Sequence, residues 1–283
     1  MRTITLTNED GQSIVLNDRG YYGGYALTDA DGLYKVDGNV TTTENGLTDG
    51  SAYLGTTQRA RNIVLQFYDA LNADHSAMRR EIYTKLRLKS RGVLTYTERA
   101  LWFKKSGEDR QIRYYVESVE WTGALAARQC TVSLICPDPF FTDTADRMAN
   151  GNVSVSLDNG TGVGNVGMEI RIQCDSSGSS PLVNPVITDE DTGEFMAFGS
   201  AGDSVSLSGG KILKITTHPE NIHAYLVDGS TETDVIGKLS LTSDFLRLHT
   251  GANRLKLTAG TMPSTAEQDV SMKVVYRLKY AGV

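Results

Sequence analysis

A chain of 283 residues has room for one large domain or two ordinary ones of roughly 100–150 residues. Its 28 Lys and Arg against 34 Asp and Glu leave a net charge of −6, without the basic surplus that nucleic-acid binding calls for. At 40% hydrophobic and 22% charged residues, the composition is that of a folded chain and excludes wholesale disorder.

The first residues, MRTITLTNEDGQSIVLND, alternate apolar with polar and so do not read as a secretory signal. No stretch approaches the roughly 20 apolar residues of a membrane span, so the expectation is synthesis in the cytosol and no membrane insertion. Period-2 alternation marks strands at Arg2–Thr7, Ser13–Leu16, Arg61–Phe67, Gln111–Trp121 and Arg128–Cys136. In the last of these, Cys130, Val132, Leu134 and Cys136 share one face. Between them, Asp74 to Ser90 predicts the one good helix: Asp74 or Ser76 can cap it, Met78, Ile82 and Leu86 recur at i, i+4 and i+8, and Gly92 follows its end. One helix on sheet predicts an α+β or mostly β first domain, whose strand edges could pair between subunits.

No proline precedes Pro137, and Cys136-Pro-Asp-Pro-Phe-Phe141 is then stiff and extended. The first domain is therefore placed at 1–146 and the second at 147–283. Beyond residue 141 lie 16 of the 28 glycines, and strand-like runs recur at Asn152–Leu157, Met168–Cys174, Pro185–Thr188, Phe195–Phe198, Ser204–Leu207, Lys211–Thr216, Ala224–Val227, Arg254–Leu257 and Val270–Tyr280. Turn residues such as Asp228-Gly229 and Ser208-Gly-Gly210 separate most of them, the signature of a β-sandwich or jelly roll.

The chemical motifs fail on context. Gly162-Val-Gly-Asn-Val-Gly167 has dinucleotide-binding spacing, but Met168–Cys174 behind it alternates as a strand, where the phosphate site requires a helix N-terminus. Asp29-Ala-Asp31-Gly32 begins like a calcium loop, yet Val40 stands where the bidentate Glu belongs. Asp189, Glu190, Asp191 and Glu194 could gather oxygens around a cation, but the favoured reading is a solvated turn. Among the four histidines only His218 and His223 are close in sequence, and no third ligand lies nearby. The three cysteines contain no CxxC and read as buried thiols. With no Gly-x-Ser-x-Gly elbow and no P-loop, the reading is no enzyme, no metal and no cofactor.

One charge cluster stands out. Arg79, Arg80, Lys85, Arg87, Lys89 and Arg91 face Glu81 alone, a local surplus of five positive charges in an acidic chain. It reads as a solvated helix face, as a subunit interface meeting acids of a neighbour, or as the lining of a ring lumen through which a polyanion passes.

In order, the strand Arg59–Phe67 followed by a helix, then Gly92-Val-Leu-Thr-Tyr96, then Gln129–Phe141 with its Cys-Pro-Asp-Pro-Phe-Phe exit, resemble the distal tail proteins of long-tailed, siphovirus-type bacteriophages. Asn184-Pro-Val-Ile187, Gly202-Asp-Ser-Val205 and Leu241–Asn253 continue the resemblance nearly to the end of the chain. It implies a structural protein of the virion tail tip, without catalytic residues. Its first domain would build a hexameric ring joining the tail tube protein to the tail hub and the receptor-binding apparatus. Its second would be a galectin-like sandwich, and DNA would pass through the ring without specific binding. The competing reading is a carbohydrate-binding module, with Phe195, Phe198 and Tyr225 stacking on sugar; against it, both tryptophans, Trp102 and Trp121, lie in the first domain. A jelly-roll glycoside hydrolase has no identifiable acid pair behind it.

Overall fold

Alternation becomes strand almost wherever the sequence suggests it, and the sheets that result are arranged in two units. A computed structural model describes residues 2–17, 24–44, 49–69, 75–98, 109–122, 129–175, 181–263 and 269–283. One unit comprises Met1–Thr144 together with Tyr280–Val283, the other Ala145–Lys279. The last four residues, placed with the second domain on sequence grounds, thus belong to the first.

The first unit runs β1 (Arg2–Asn8), β2 (Ser13–Leu16), β3 (Tyr25–Asp31), β4 (Gly38–Glu44), β5 (Ser51–Gln58), β6 (Arg61–Asp69), α1 (His75–Lys85), β7 (Arg91–Glu98), β8 (Arg110–Thr122), β9 (Gln129–Cys136) and β10 (Phe141–Asp143). Among the described residues, β8, β7, β1, β2, β3, β6 and β9 are neighbours in that order, and β9 pairs back onto β8. The sheet is therefore a closed seven-stranded barrel. The sequence predicted only sheet with a helix on it, because closure rests on pairings that no local pattern records. Every neighbour pair is antiparallel except β2 with β3, joined in parallel at Leu16 and Tyr25. The register of β8 against β9 shifts between Val116 and Ser118, a bulge of the kind that lets a long strand turn a barrel corner.

The alternating apolar residues fill the core: Ile4 and Leu6, Ile14 and Leu16, Ile63, Leu65 and Phe67, Leu94, Ile112 and Tyr114, Val132 and Leu134 are all buried. Each contributes about 1.5–3 kcal/mol of transfer free energy. Gly92 is a core requirement and not a helix stop. It lies in β7, and a Cβ there would come within 2.3 Å of the Thr7 carbonyl oxygen and 2.5 Å of the Tyr114 hydroxyl.

Helix α1 is shorter than predicted, though its buried face of Met78, Ile82 and Leu86 is as expected. Asn8 Nδ2 donates to the Lys85 carbonyl at 3.1 Å and satisfies one of the helix's last acceptors. Beyond it Lys89 takes a left-handed φ of 68°, and Ser90 N closes a turn onto the Arg87 carbonyl at 3.0 Å. Asp74, a predicted cap, lies outside the described residues.

Barrel closure pairs most of the strand edges, although β2 and β3 meet only at Leu16 and Tyr25. Among the described residues, further free edges of the first unit belong to the short strand Lys279–Tyr280, which pairs only with β10, and to β4 and β5, a two-stranded ribbon outside the barrel. Every residue of β4 is exposed, as is all of β5 but Gly55.

The second unit contains β11 (Arg147–Gly151), β12 (Ser154–Asn159), β13 (Met168–Cys174), β14 (Leu182–Asp189), β15 (Phe195–Ala197), β16 (Ser206–Leu207), β17 (Ile212–His218), β18 (Asn221–Asp228), β19 (Thr231–Asp234), β20 (Gly251–Thr261) and β21 (Val270–Tyr276). They form two antiparallel sheets, one ordered β11-β21-β13-β17-β18-β19 and the other β12-β20-β14-β15, with β16 on β14. Each buries one face, the first through Ile170, Ile172, Leu213 and Met272, the second through Leu157, Ile187, Leu255 and Leu257. The chain then re-enters the first unit through β22 (Lys279–Tyr280), next to β10.

Cys130, Cys136 and Cys174 are buried and lie outside any disulfide. Burial pushes the thiols of Cys130 and Cys136 up from 9.0 to about 12. The native state therefore keeps protons that the unfolded chain releases above pH 9, and stability falls as the pH rises from about 9 towards 12. Thiol titration with a disulfide reagent at pH 8 should detect no cysteine in the native protein and three after denaturation. Urea midpoints taken across pH 8–11 should decline more steeply in the wild type than in Cys130→Ala.

Candidate assembly surfaces

The basic segment 79–91 is largely satisfied within its own unit. Lys85 Nζ reaches Glu81 at 2.6 Å and the Ser13 carbonyl at 2.9 Å. Arg87 pairs with Asp10 at 2.6 Å, and Arg91 with Glu9 at 3.2 Å. The Arg79 guanidinium lies over the Trp121 ring, 5.6 Å from its centroid. Burial alone would push the Glu81 carboxyl up, but hydrogen bonds from Lys85 and the Tyr25 hydroxyl outweigh it and hold the group below its ordinary value. The exposed pairs at Arg87 and Arg91 are worth about 0–1 kcal/mol each and serve mainly to neutralise charge. Arg80 and Lys89 remain exposed at the rim.

Apolar surface occupies the same face. Tyr83, Leu88 and Tyr115 are exposed, and a groove of about 440 Å³ is lined by Tyr83, Leu86, Leu88 and Val119 among others. Tyr83 packs edge-on against Trp121. A second apolar patch lies on the β4–β5 ribbon, where Tyr53 and Leu54 are each 65% exposed and Val40 is exposed beside them. Sequence reasoning missed both patches. The ribbon lacks the alternation that flags a half-buried strand, and charge drew attention away from Tyr83 and Leu88.

The integrity of the first unit turns on Arg61, buried on β6. Its Nε donates to the Pro139 carbonyl at 2.8 Å, its Nη1 to the Gly32 and Leu33 carbonyls at 2.7 and 3.1 Å, and its Nη2 to the Ala281 carbonyl. The Phe141 ring lies 5.1 Å from the guanidinium. Gly32 has φ +85°, and a Cβ there would overlap the Asn62 carbonyl oxygen at 2.0 Å, so the turn that presents these acceptors requires glycine. A second arginine holds the returning tail: Arg110 Nη1 donates to the Gly282 carbonyl at 2.6 Å and stacks on Tyr280, whose hydroxyl donates to Asp143 at 2.9 Å.

The other motifs resolve as follows. Gly162–Gly167 is a loop between β12 and β13, followed by strand. Asp29 and Asp31 accept from the backbone N–H groups of Ala30 and Gly32 at the end of β3. His218 and His223 stand on adjacent strands β17 and β18, and burial lowers the pKa of His218. The residues considered for sugar stacking do not form a platform. Phe198 is 1% exposed and part of the core, while Phe195 on β15 and Tyr225 on β18 belong to different sheets. Asp189 is also buried, at 2% exposure, and so is not the solvated turn residue the sequence suggested.

These features define a class of fold: a closed β-barrel with an outlying ribbon, a two-sheet β unit inserted before the last strand, and C-terminal residues that complete the barrel unit. Among solved structures the chain is similar to the Dit protein (gp 19.1) of phage SPP1, described as a paradigm of the hub adsorption apparatus in phages infecting Gram-positive bacteria. The identity is 14%, the match covers 99% of each chain, and the TM-score is 0.68. Chains of the phage P2 baseplate, in its activated conformation with Ca and with Sr, match over 100% of both chains at 10% identity, with TM-scores of 0.49 and 0.46. No family model and no curated protein matches the sequence. At these identities the likeness is one of fold.

Replacing Arg61 with Ala strands four backbone acceptors at once, and the loss should be on the order of 3–5 kcal/mol. Both tryptophans lie in the first unit, so urea unfolding followed by Trp fluorescence reports it selectively. A midpoint shift worth less than about 1 kcal/mol would contradict the role assigned to Arg61.

Proposed function

We infer that this chain is a structural component of a bacteriophage tail tip, built to assemble and not to catalyse. The observation that carries this reading is the end-to-end fold likeness to the SPP1 Dit protein at a TM-score of 0.68. Six copies of the first unit form a ring between the last tail tube ring and the tail hub, and the galectin-like second unit projects outward as a support for the host-adsorption apparatus. A closed ring of identical subunits uses head-to-tail contacts, so each copy must offer two different patches. The first unit has two: the apolar ribbon at Val40, Tyr53 and Leu54, and the groove at Tyr83 and Leu88. The ribbon of one copy lies on the groove of the next.

On this reading the interface is apolar at its centre. The cluster Arg79, Arg80, Lys85, Arg87, Lys89 and Arg91 frames it, with Arg80 and Lys89 offered to acids of the neighbour. The net charge of −6 suits a conduit for DNA, because a wall that attracted phosphates would retain what it must pass. A glycan-binding reading of the second unit has lost the shared aromatic platform on which it stood.

Sedimentation velocity of the wild-type chain should show a hexamer in exchange with monomer. The double variant Tyr53→Asp, Leu54→Asp should sediment as monomer with an unchanged far-UV spectrum, since the ribbon lies outside the barrel. A wild type that remains monomeric at high concentration, or a variant that assembles unchanged, would argue against the proposal.

A further inference from the structure

In the second unit, two distant stretches of sequence bring three ligating side chains to one point. Asp189 ends β14, Asp191 lies in the turn after it, and His249 stands just before β20. One ligand atom from each lies within 4.8 Å of the others, and among the described residues no other trio of His, Cys, Asp or Glu does this.

The hydrogen bonds leave these atoms a specific task. His249 Nδ1 is 2.9 Å from the Thr250 carbonyl oxygen. A carbonyl can only accept, so Nδ1 carries a proton, and in the neutral ring Nε2 presents a lone pair. That Nε2 is shut off from solvent and has no hydrogen-bond partner. It faces Asp189 Oδ2 across 3.8 Å, too far for a hydrogen bond. An imidazole lone pair and a carboxylate oxygen confronting each other beside a buried strand end are stabilised by a positive centre between them. Two bonds of about 2.0–2.2 Å to a metal ion span such a gap.

The supports are of the kind that metal ligands require. Asp189 Oδ1 accepts from Asp191 N at 2.9 Å, and Asp191 Oδ2 accepts from Arg254 N at 2.9 Å, which fixes both carboxylates. His249 N donates to Asn253 Oδ1 at 2.8 Å. Its carbonyl accepts from Asn253 Nδ2 and Asn159 Nδ2, each at 3.1 Å, and both asparagines are buried.

We propose that Asp189, Asp191 and His249 bind one divalent transition-metal ion, which ties the turn after β14 to the start of β20. An imidazole with two carboxylates suits Zn²⁺, Mn²⁺ or Co²⁺, whereas Ca²⁺ and Mg²⁺ prefer all-oxygen sets. Asp191 is exposed, so water completes the coordination on that side.

The test uses the full chain, stripped with a chelator and titrated with Zn²⁺ by calorimetry. One saturable site per chain is expected, with Co²⁺ giving a visible ligand-field band and broadening the His249 ring resonances. Asp189→Asn keeps the shape and the acceptor for Asp191 N. It and His249→Gln should each weaken Zn²⁺ affinity at least tenfold, with unchanged far-UV spectra. Absence of a saturable site in the wild type, with both His249 ring nitrogens carrying protons whether or not Zn²⁺ is present, would overturn the proposal in favour of a plain ion pair with Asp189. Unchanged Zn²⁺ affinity in both variants, or Co²⁺ binding that leaves the His249 resonances untouched, would overturn it equally.

Discussion

The guanidinium of Arg61 gathers carbonyl groups from the turn at Gly32 and Leu33, from Pro139 where the chain is about to leave the first unit, and from Ala281 after it has returned. Few side chains can do this. The acceptors lie on several sides of a planar group, and lysine's point-like ammonium cannot address them together. The cost is a charge held out of water, visible in the lowered pKa that burial imposes on Arg61. Its consequence is that both ends of the 135 residues Ala145–Lys279 are fastened to one residue of the barrel unit. The second unit is thus an insertion into the first in the sense of chain connectivity.

A barrel closed in this way also limits where assembly can occur. Most of its strand edges are paired among the described residues, and the pleated outer surface carries threonines such as Thr3, Thr5 and Thr7 opposite the buried Ile4 and Leu6. On the proposed reading a neighbour uses whatever stands off the barrel or covers its side, the β4–β5 ribbon and the face of α1 with β8. Both carry exposed aromatic and leucine side chains, and around the second the positive charge is largely neutralised by Glu81, Asp10 and Glu9. Neutralised charge around apolar surface is a better interface than bare charge, because desolvating unpaired arginines costs more than their new partners return.

Local physics was legible in the sequence and long-range geometry was not. Cys130, Val132, Leu134 and Cys136 declared their shared buried face by alternation alone, and Met78, Ile82 and Leu86 did so at helical spacing. The strand after Gly167 was equally legible in the alternation of Met168–Cys174. Nothing local says that β9 returns to β8, or that Arg61, one charged residue at the head of an apolar strand, is buried. The ribbon was unreadable because neither of its faces is covered, so it has no period to detect. Asp189 and His249 lie 60 residues apart on elements whose proximity depends on the pairing of β14 with β20, so no local spacing brings them together.

The central claim, a ring of barrel units linked through the ribbon, is tested most directly by electron cryo-microscopy of the purified chain at high concentration. The account predicts six-fold ring averages in which the β4–β5 density of each copy lies against the Tyr83 and Leu88 face of the next. Isolated particles only, or a ring whose contacts leave both the ribbon and that face exposed, would contradict it.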